Sequence, residues 1–583
     1  MAVHAWRYGA ARWEVFPPYA AAEDLARQIG TAPLVAQVLA NRGITDPAAG
    51  KAFLNPKLSD LHNPELLGGC VEAAKRLAAA VARRARIVLY GDYDVDGMAG
   101  VAILHSILRL VGADVHTYVP HRLEEGYGVN AEAVAKLVGE GMNVLVTVDC
   151  GISAHGPLAA ARAAGVEIIV TDHHSPDAQL PPADVIVHPA IPPGRYPNAD
   201  LAGAGVAFKL AWQTAVEICG SSRVDEAIRN FLLEATCLAA LGTVADVVPL
   251  VGENRSLVVY GLKGLPHTQH AGLQALLKST RLDGEKLDAY HVGFLLAPRL
   301  NACGRMGHAR LALELLTDAP GPHAAKIAEY LEQQNAERQK VERAITAEAA
   351  EQVVAAGLDG PEHRAIVLAS DSWHGGVIGI VASRLVERFG RPAVLIAMNG
   401  DGGQGSARSI PGFHMRDALA ACASSLRSFG GHAMAGGLRI DRGKIAEFTA
   451  AFMEYANQRV GAAQLQPTLR LDAEATIAGL SYPVVEHISR LAPFGQGNPP
   501  PLVAIRGCQV LSAPRRMGRN GGVLSLMLSQ NGSSLRAVGF SMGELADRLV
   551  GVTTIDVAAQ PMISTFNGQS TAELQLKDVS WGR

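Results

Sequence analysis

Three apolar runs in this chain each end in a carboxylate or an acid–histidine string, and that pattern restricts the fold more than any other feature. Arg86–Tyr90 runs into Asp92-Tyr93-Asp94-Val95-Asp96-Gly97, Asn143–Val148 into Asp149, and Val166–Thr171 into Asp172-His173-His174. Each run is short and mostly apolar, with Val in all three, as buried strands are. Between them lie helical patterns at Ala73–Arg84, Gly97–Val111 and Ala131–Glu140, with a further strand at Val115–Val119. This alternation predicts an α/β fold with a mostly parallel, doubly wound sheet. In such sheets the carboxyl ends of neighbouring strands converge on one crevice, where ligands bind. A fourth segment, at Asp246, follows an Ala- and Leu-rich helical pattern at Phe231–Leu241, so the strand-end argument does not place it there.

The converging groups point to divalent metal. In an extended segment Asp92, Asp94 and Asp96 share one face, because alternate side chains leave the same side. Three carboxylates that close raise one another's pKa unless cations lie between them. One could cap the helix that opens near Gly97, but a cap needs one acceptor, not three. His173 and His174 add two imidazoles at one strand end. Oxygen-rich ligation with one or two imidazoles suits Mn2+ or Mg2+ better than Zn2+, and the donors suffice for two ions ~3.5–4 Å apart. The seven cysteines are scattered with no CxxC pair, which argues against structural zinc and for a reducing compartment.

At 583 residues the chain is too long for one core. Residues 1–65 form an N-terminal segment with short helical patterns, and 66–318 carry the strand–helix alternation. Ala324–Ala356, free of Pro and Gly, predicts one bridging helix of ~50 Å inside a linker at 319–357. A second, smaller α/β domain at 358–462 has strands near Ile366–Leu368 and Ala393–Ile396 and a helix at Val377–Phe389. The terminal unit, 467–583, shows five short runs: Leu502–Val510, Leu524–Leu528, Leu535–Phe540, Thr554–Ala558 and Ala572–Leu576. Five such strands fit an OB-like barrel. The net charge of −3 gives no global sign of nucleic-acid binding and excludes none, because a local basic groove is what meets phosphate. No apolar run reaches the ~18 residues of a membrane span, and Met1–Phe16 has no apolar signal core. A cytoplasmic protein without membrane contact is expected.

Phosphate-binding groups are sought in the second domain. Gly430–Gly437 offers the amides of Gly430 and Gly431 beside His432. A glycine cluster alone is commonly a tight turn; joined to Ser406, Arg408 and Ser409 it reads as a phosphate cradle. Arg122, Arg299 and Arg305 suit bidentate phosphate contacts, and equally salt bridges. Trp373, His374 and Tyr127 could stack on a base but are read as packing. Arg515, Arg516 and Arg519 form a basic loop in the terminal unit, where the aromatics Phe494, Phe540, Phe566 and Trp581 are few for a strand-gripping groove.

Taken in order, DYDVDG, VTVDCG, TDHH and GTVADVVPL resemble the four signature motifs of the DHH phosphoesterase superfamily. HRLEEGYG (His121–Gly128), LAPRLNACGRMG (Leu296–Gly307), SWHGGVIGIVASRL (Ser372–Leu385), GSARSI (Gly405–Ile410), GGHAMAGG (Gly430–Gly437) and LAPFGQGNPPP (Leu491–Pro501) narrow it. Across nearly its whole length the chain resembles the RecJ family. That resemblance implies a DHH-type sheet domain, a long helix, a DHHA1 domain and an OB-like nucleic-acid-binding domain. It implies Asp94, Asp96, Asp149, His173 and Asp246 as metal ligands for two Mn2+ or Mg2+ ions. His174 would sit by the scissile phosphate, orienting it or assisting proton transfer, with Asp92 and Asp172 as ligands or as supports of ligands.

The implied activity is 5′-to-3′ exonucleolytic hydrolysis of single-stranded DNA to mononucleotides, in repair and recombination. Single-strand-binding protein and a RecQ-like helicase are the implied partners. A monomer is expected, because the long helix and two-domain cleft already complete a site. Two rivals are a DHH enzyme for short oligoribonucleotides or cyclic dinucleotides, and a non-catalytic DNA-binding relative. The appended terminal unit argues against the first, and the intact acids and DHH against the second. One departure stands out: Tyr90 occupies the position four before Asp94 where many DHH phosphoesterases carry His, so no histidine ligand is expected there.

Overall fold

A computed structural model describes residues 11–121, 125, 128–191, 196–566 and 568–582. Arg122 and Tyr127 lie outside these residues. Two compact units divide the chain: one comprises residues 52–337 and 492–499, the other 1–51, 338–491 and 500–583.

The first unit is built on five parallel strands: β1 (Arg86–Gly91), β2 (Asp114–Tyr118), β3 (Val144–Val148), β4 (Glu167–Thr171) and β5 (Val185–Val187). Their order is β2-β1-β3-β4-β5. The sequence does not predict the three-residue β5, which is too short to display a period. Helices α1 (Val95–Leu110), α2 (Gly203–Cys219), α3 (Glu226–Ala245) and α4 (Gly252–Gly264) supply the larger core, which takes Ile87 and Leu89 from β1. Val88 and Tyr90 enter a second core on the other face, with Val134, Leu137 and Leu158. Each fully buried aliphatic contributes about 2 kcal/mol, and burial on both faces is why these runs are continuously apolar rather than alternating. Among the described residues α3 is long and apolar enough to cross a membrane by length and composition; here it packs Ala235–Thr243 into the core. A π-helical turn at His291–Leu296 leads into α5 (Ala297–Met306).

The strand order reverses beside β1, so the β1/β3 junction is the topological switch point of this sheet. The ladder runs one residue past each strand there. Asp92 N–H donates to Val148 O at 3.2 Å, Asp149 N–H to Thr171 O at 2.9 Å, and Asp172 N–H to Val187 O at 3.2 Å. Register therefore sets three acids side by side at one level.

Helix α6 (Gly321–Ala355) is the long helix, beginning slightly before its predicted start because Pro322 is tolerated in a first turn. The unit boundary falls inside it, after Glu337. The second unit holds β6 (Ile366–Ser370), β7 (Ala393–Asn399), β8 (Gly402–Arg408), β9 (Ser428–Gly431) and β10 (Ala435–Asp441), in the order β9-β10-β8-β7-β6. Helix α7 (Ile378–Phe389) connects parallel β6 and β7. The sequence predicts only β6 and β7 because the others are glycine-rich. Close packing requires some of those glycines: a Cβ on Gly403 would lie 2.6 Å from Met398 Sδ, and one on Gly405 2.7 Å from Leu438 Cδ1. Trp373 is buried, in agreement with packing rather than base stacking.

The terminal part closes a barrel from the five predicted strands, now β11 (Val503–Val510), β12 (Val523–Gln530), β13 (Ser533–Phe540), β14 (Thr554–Phe566) and β15 (Gln569–Ser580). They pair as β11-β14-β15-β13-β12, and β12 returns to β11. Two expectations change. Arg12–Val15, in a segment read as helical, forms a strand parallel to Thr468–Leu471. Arg515–Met517, read as a loop, is a strand beside β12, and Arg516 is ion-paired with Asp547.

Candidate metal centre

The acidic segment after β1 is not extended throughout. Asp94 is extended, and its Oδ1 caps α1 by accepting Gly97 N–H at 3.0 Å; helix begins at Val95. Asp96 thus lies in the first helical turn, and the common face expected for Asp92, Asp94 and Asp96 does not exist. Asp96 instead reaches the N-terminus of α2, accepting Gly203 N–H at 2.6 Å and Ala204 N–H at 2.9 Å. A helix N-terminus favours a nearby negative charge. Asp149 has φ +61°, in the left-handed region that Asp tolerates better than most residues.

Two glycines on helices let these carboxylates approach. A Cβ on Gly203 would lie 2.6 Å from Asp149 Oδ1, and one on Gly242 of α3 would lie 2.4 Å from Asp96 Oδ1. Helix α3 ends at Ala245 and carries Asp246 as its C-cap. His173 Nε2 stands 3.1 Å from Asp149 Oδ1, 3.6 Å from Asp246 Oδ2 and 3.9 Å from Asp96 Oδ2. Three overlapping groups bring ligand atoms within 4.8 Å of one another: Asp96, His173 and Asp246; Asp92, Asp94 and Asp149; and Asp149, His173 and His174.

The electrostatics are those of a site built for cations. Burial, then the charges of Asp246 and Asp94, push the Asp96 carboxyl well up. Asp149 is pushed up by burial and then by Asp96 and Asp94. Burial and Asp94 raise Asp246 to about 7. Burial and the neighbouring His174 lower His173 to about 4, so its imidazole is neutral at pH 7. Asp149 Oδ1 and His173 Nε2 are buried and make no hydrogen bond among the described residues. Unsatisfied lone pairs on a neutral imidazole and a destabilised carboxylate fit a divalent cation, whose charge removes the repulsion.

One expectation follows for pH. Because metal competes with the proton that Asp246 binds near 7, Mn2+ affinity should fall as pH drops below that value, with proton uptake on metal release. Calorimetric titration with Mn2+ in buffers of different ionisation enthalpy at pH 6 and 8 would count that proton; a pH-independent affinity would contradict this reading.

Asp172 points elsewhere. Its Oδ1 accepts His173 N–H at 2.8 Å, His174 N–H at 3.1 Å and His174 Nδ1–H at 2.8 Å, while Oδ2 accepts Ile152 N–H at 3.0 Å. Burial pulls the His174 imidazole down, but the hydrogen bond and charge of Asp172, with Asp246 and Asp92, hold it up to about 9. Tyr90 contributes nothing to the crevice: its hydroxyl donates to Gly128 O at 3.1 Å and accepts Asn130 N–H at 3.3 Å in the second core.

The expected phosphate contacts divide. Arg299 is ion-paired with Glu332 on α6 and donates from Nη1 to Leu295 O at 2.5 Å. Arg305 lies partly buried on α5. In the second unit the sheet gathers Ser406 and Arg408 on β8 beside Gly430 and Gly431 on β9, through the intervening β10. His432 N–H donates to Ala435 O at 2.9 Å, closing the β9–β10 turn. Gly379 of α7 faces this pair, within 3.2 Å of Arg408 Nη2 and 3.4 Å of Ser406 Oγ measured from a Cβ built upon it. Sequence reasoning gave no role to Gly203, Gly242 or, on α5, Asn301 and Gly304. There Asn301 Oδ1 accepts Val95 N–H at 3.1 Å, and a Cβ on Gly304 would lie 2.8 Å from Tyr93 O. The one available signal was glycine inside helical patterns, which marks close approach.

Comparisons with known proteins agree with this architecture. The DHH family N-terminal domain matches residues 86–240, the DHHA1 domain 362–458, and the RecJ OB domain 471–578. A Bacillus subtilis relative, named single-stranded-DNA-specific exonuclease RecJ, is 36% identical over 98% of this chain and 71% of its own length. The crystal structure of RecJ from Thermus thermophilus in complex with Mn2+ has a TM-score of 0.84 at 34% identity, covering 98% of this chain and 80% of that one. The Mg2+ complex of that protein has a TM-score of 0.78 at 32% identity, covering 98% and 79%. The order of the three domains, the acid–histidine crevice and full-length similarity coincide, and the chain belongs to the RecJ family of single-stranded-DNA-specific exonucleases.

Proposed function

We propose that this chain hydrolyses single-stranded DNA from its 5′ end and releases mononucleotides. The observation that carries the reading is the largely buried meeting point of Asp96, Asp149, His173 and Asp246, where lone pairs converge and Asp149 Oδ1 and His173 Nε2 make no hydrogen bond among the described residues. Those four residues, with Asp92 and Asp94, would hold two divalent ions. When bound, Mn2+ or Mg2+ would activate water and neutralise charge on the phosphodiester.

The chain's own groups do the rest. Asp172 fixes the His174 ring through Nδ1, and the imidazole so held would act on the scissile phosphate. Held cationic at neutral pH, His174 can donate a hydrogen bond to a phosphate oxygen or a proton to the leaving oxygen. Arg122, Arg305, Ser406, Arg408, Gly430, Gly431 and His432 are the groups proposed to bind the strand's phosphates. Arg299 would join them only by leaving Glu332. The barrel would bind the incoming strand. In the cell the chain would work in the cytoplasm as a monomer, in repair and recombination, on strands supplied by a RecQ-like helicase and held by single-strand-binding protein.

Comparing 5′-labelled single-stranded DNA, duplex DNA and short RNA with and without Mn2+ tests this reading. Mononucleotides should come from single-stranded DNA alone, and only with metal. Equal cleavage of duplex, or preference for short RNA, would overturn it.

A further inference from the structure

Val247 directly follows Asp246 and has φ +63°. A β-branched residue enters this left-handed region only where its surroundings force it, and such strain collects at functional sites. Contacts that fix the following chain lie just downstream. Leu250 N–H donates to Gln496 O at 2.8 Å. Asn254 Nδ2 donates to Pro249 O at 3.1 Å and to Asp200 O at 2.6 Å. Buried Arg255 donates from Nη2 to Ala492 O at 2.7 Å and from Nε to Phe53 O at 2.8 Å, with its guanidinium 4.0 Å over the Phe53 ring.

Residues 492–499 therefore belong to the same compact unit as the acidic crevice, although they come from far along the chain. The loop is rigid in its own right. Asn498 is fully buried and donates from Nδ2 to Pro493 O at 2.7 Å, while Gly495 and Asn498 exchange backbone bonds of 3.0 and 3.1 Å. Its contact face is glycine by necessity: a Cβ on Gly495 would lie 2.7 Å from Leu250 Cδ1, and one on Gly497 would lie 3.0 Å from Pro249 Cβ.

We propose that the 492–499 loop is a positioning element of the metal centre, a clamp on Pro249 and Leu250. It holds the Val247 turn in its left-handed conformation, and thereby aims the Asp246 carboxylate at Asp96 and His173. This rests on the reading of Asp246 as a metal ligand. Asn498, Gly495 and Gly497 are positioning residues in this reading, acting through Pro493, Leu250 and Pro249. The loop's backbone carbonyls grip, its glycines permit contact, and Asn498 keeps it shaped.

The test is a double-mutant cycle in the full-length protein between Asn498→Ala and Asp246→Asn. It is read by calorimetric Mn2+ binding without DNA, by melting temperature, and by kcat and KM on labelled single-stranded DNA. Asn498→Ala should weaken Mn2+ binding about tenfold or more, the range seen when supports of metal ligands are removed. It should leave KM for DNA within about twofold. In the Asp246→Asn background the same change should have little further effect on Mn2+ affinity, because both act through one carboxylate. A lowered melting temperature with unaltered Mn2+ affinity would overturn the clamp, as would losses that simply add. Unaltered Mn2+ binding in Asp246→Asn alone would instead overturn the ligand reading beneath it. Should Asn498→Ala not fold, Gly497→Ala probes the same contact and is judged by the same outcomes.

Discussion

Asp149→Asn is expected to abolish metal-dependent release of mononucleotides, by about 10³-fold or more, while raising the melting temperature of the metal-free protein. The loss follows from removing a ligand charge from a two-metal site, where charge stabilisation of the phosphoryl transition state is worth several kcal/mol and each 1.4 kcal/mol is about tenfold in rate. The gain follows from burial and like charge. Burial first, then Asp96, Asp94, Asp92 and Asp172, push the Asp149 carboxyl above its ordinary value. A carboxyl raised in the folded state contributes most below its unfolded pKa of ~3.9 and loses that contribution as pH rises through the folded value. A neutral amide of the same shape carries no such penalty. The melting temperature should therefore rise by about 2 °C at alkaline pH and converge with wild type in acid. Mn2+ should stabilise the wild type strongly and the variant little, as mass action requires. Calorimetric melting with and without Mn2+, alongside release from labelled strands, checks both halves. Retained metal-dependent activity would sink the assignment of Asp149.

Asp172→Asn should lower kcat about 10²- to 10⁴-fold and move the alkaline limb of the pH–rate profile downward. Asp172 spends both oxygens on the Asp-His-His segment and Ile152, and its Oδ1 holds His174 Nδ1 at 2.8 Å. Burial lowers His174, and the Asp172 hydrogen bond and charge more than reverse it, to about 9. Protonated His174 is then the dominant form at neutral pH and is lost only above that value. An amide in place of Asp172 removes the reversing charge, leaving burial to depress the imidazole below its ordinary ~6.5. Asp246 and Asp92 also raise His174, but bound cations would neutralise their contribution, so the effect of Asp172 is the one that persists. The profile of kcat in saturating Mn2+ decides the matter. An unmoved alkaline limb would mean that His174 does not work in its protonated form.

Much of the candidate centre is legible in the chain because it is local. A strand ending in an acid is written in a handful of consecutive residues, so Asp92, Asp149 and Asp172 can be placed at strand ends from the residues alone. The five barrel strands are legible for the same reason, each carrying its own alternating run. Misreadings arise where a local rule meets a nonlocal contact. Parity assumes that Asp94 and Asp96 share an extended segment, whereas capping starts a helix between them. Strands β8, β9 and β10 lack the side chains that announce a strand, and at Gly403, Gly405, Gly431 and Gly436 neighbours occupy the space of a Cβ.

The sequence by itself determined the kind of chemistry, since residue type and strand-end position depend on short-range pattern: carboxylates and imidazoles at one sheet edge, with metal implied by their mutual repulsion. The meeting of those groups was decided only in three dimensions. Asp246 sits on a helix end, and its place beside His173 depends on Gly242 passing Asp96 and on a loop from residues 492–499 gripping Leu250. Contacts across so many residues leave no period in the chain, because what selects them is the space left by packing and not the properties of neighbours in sequence.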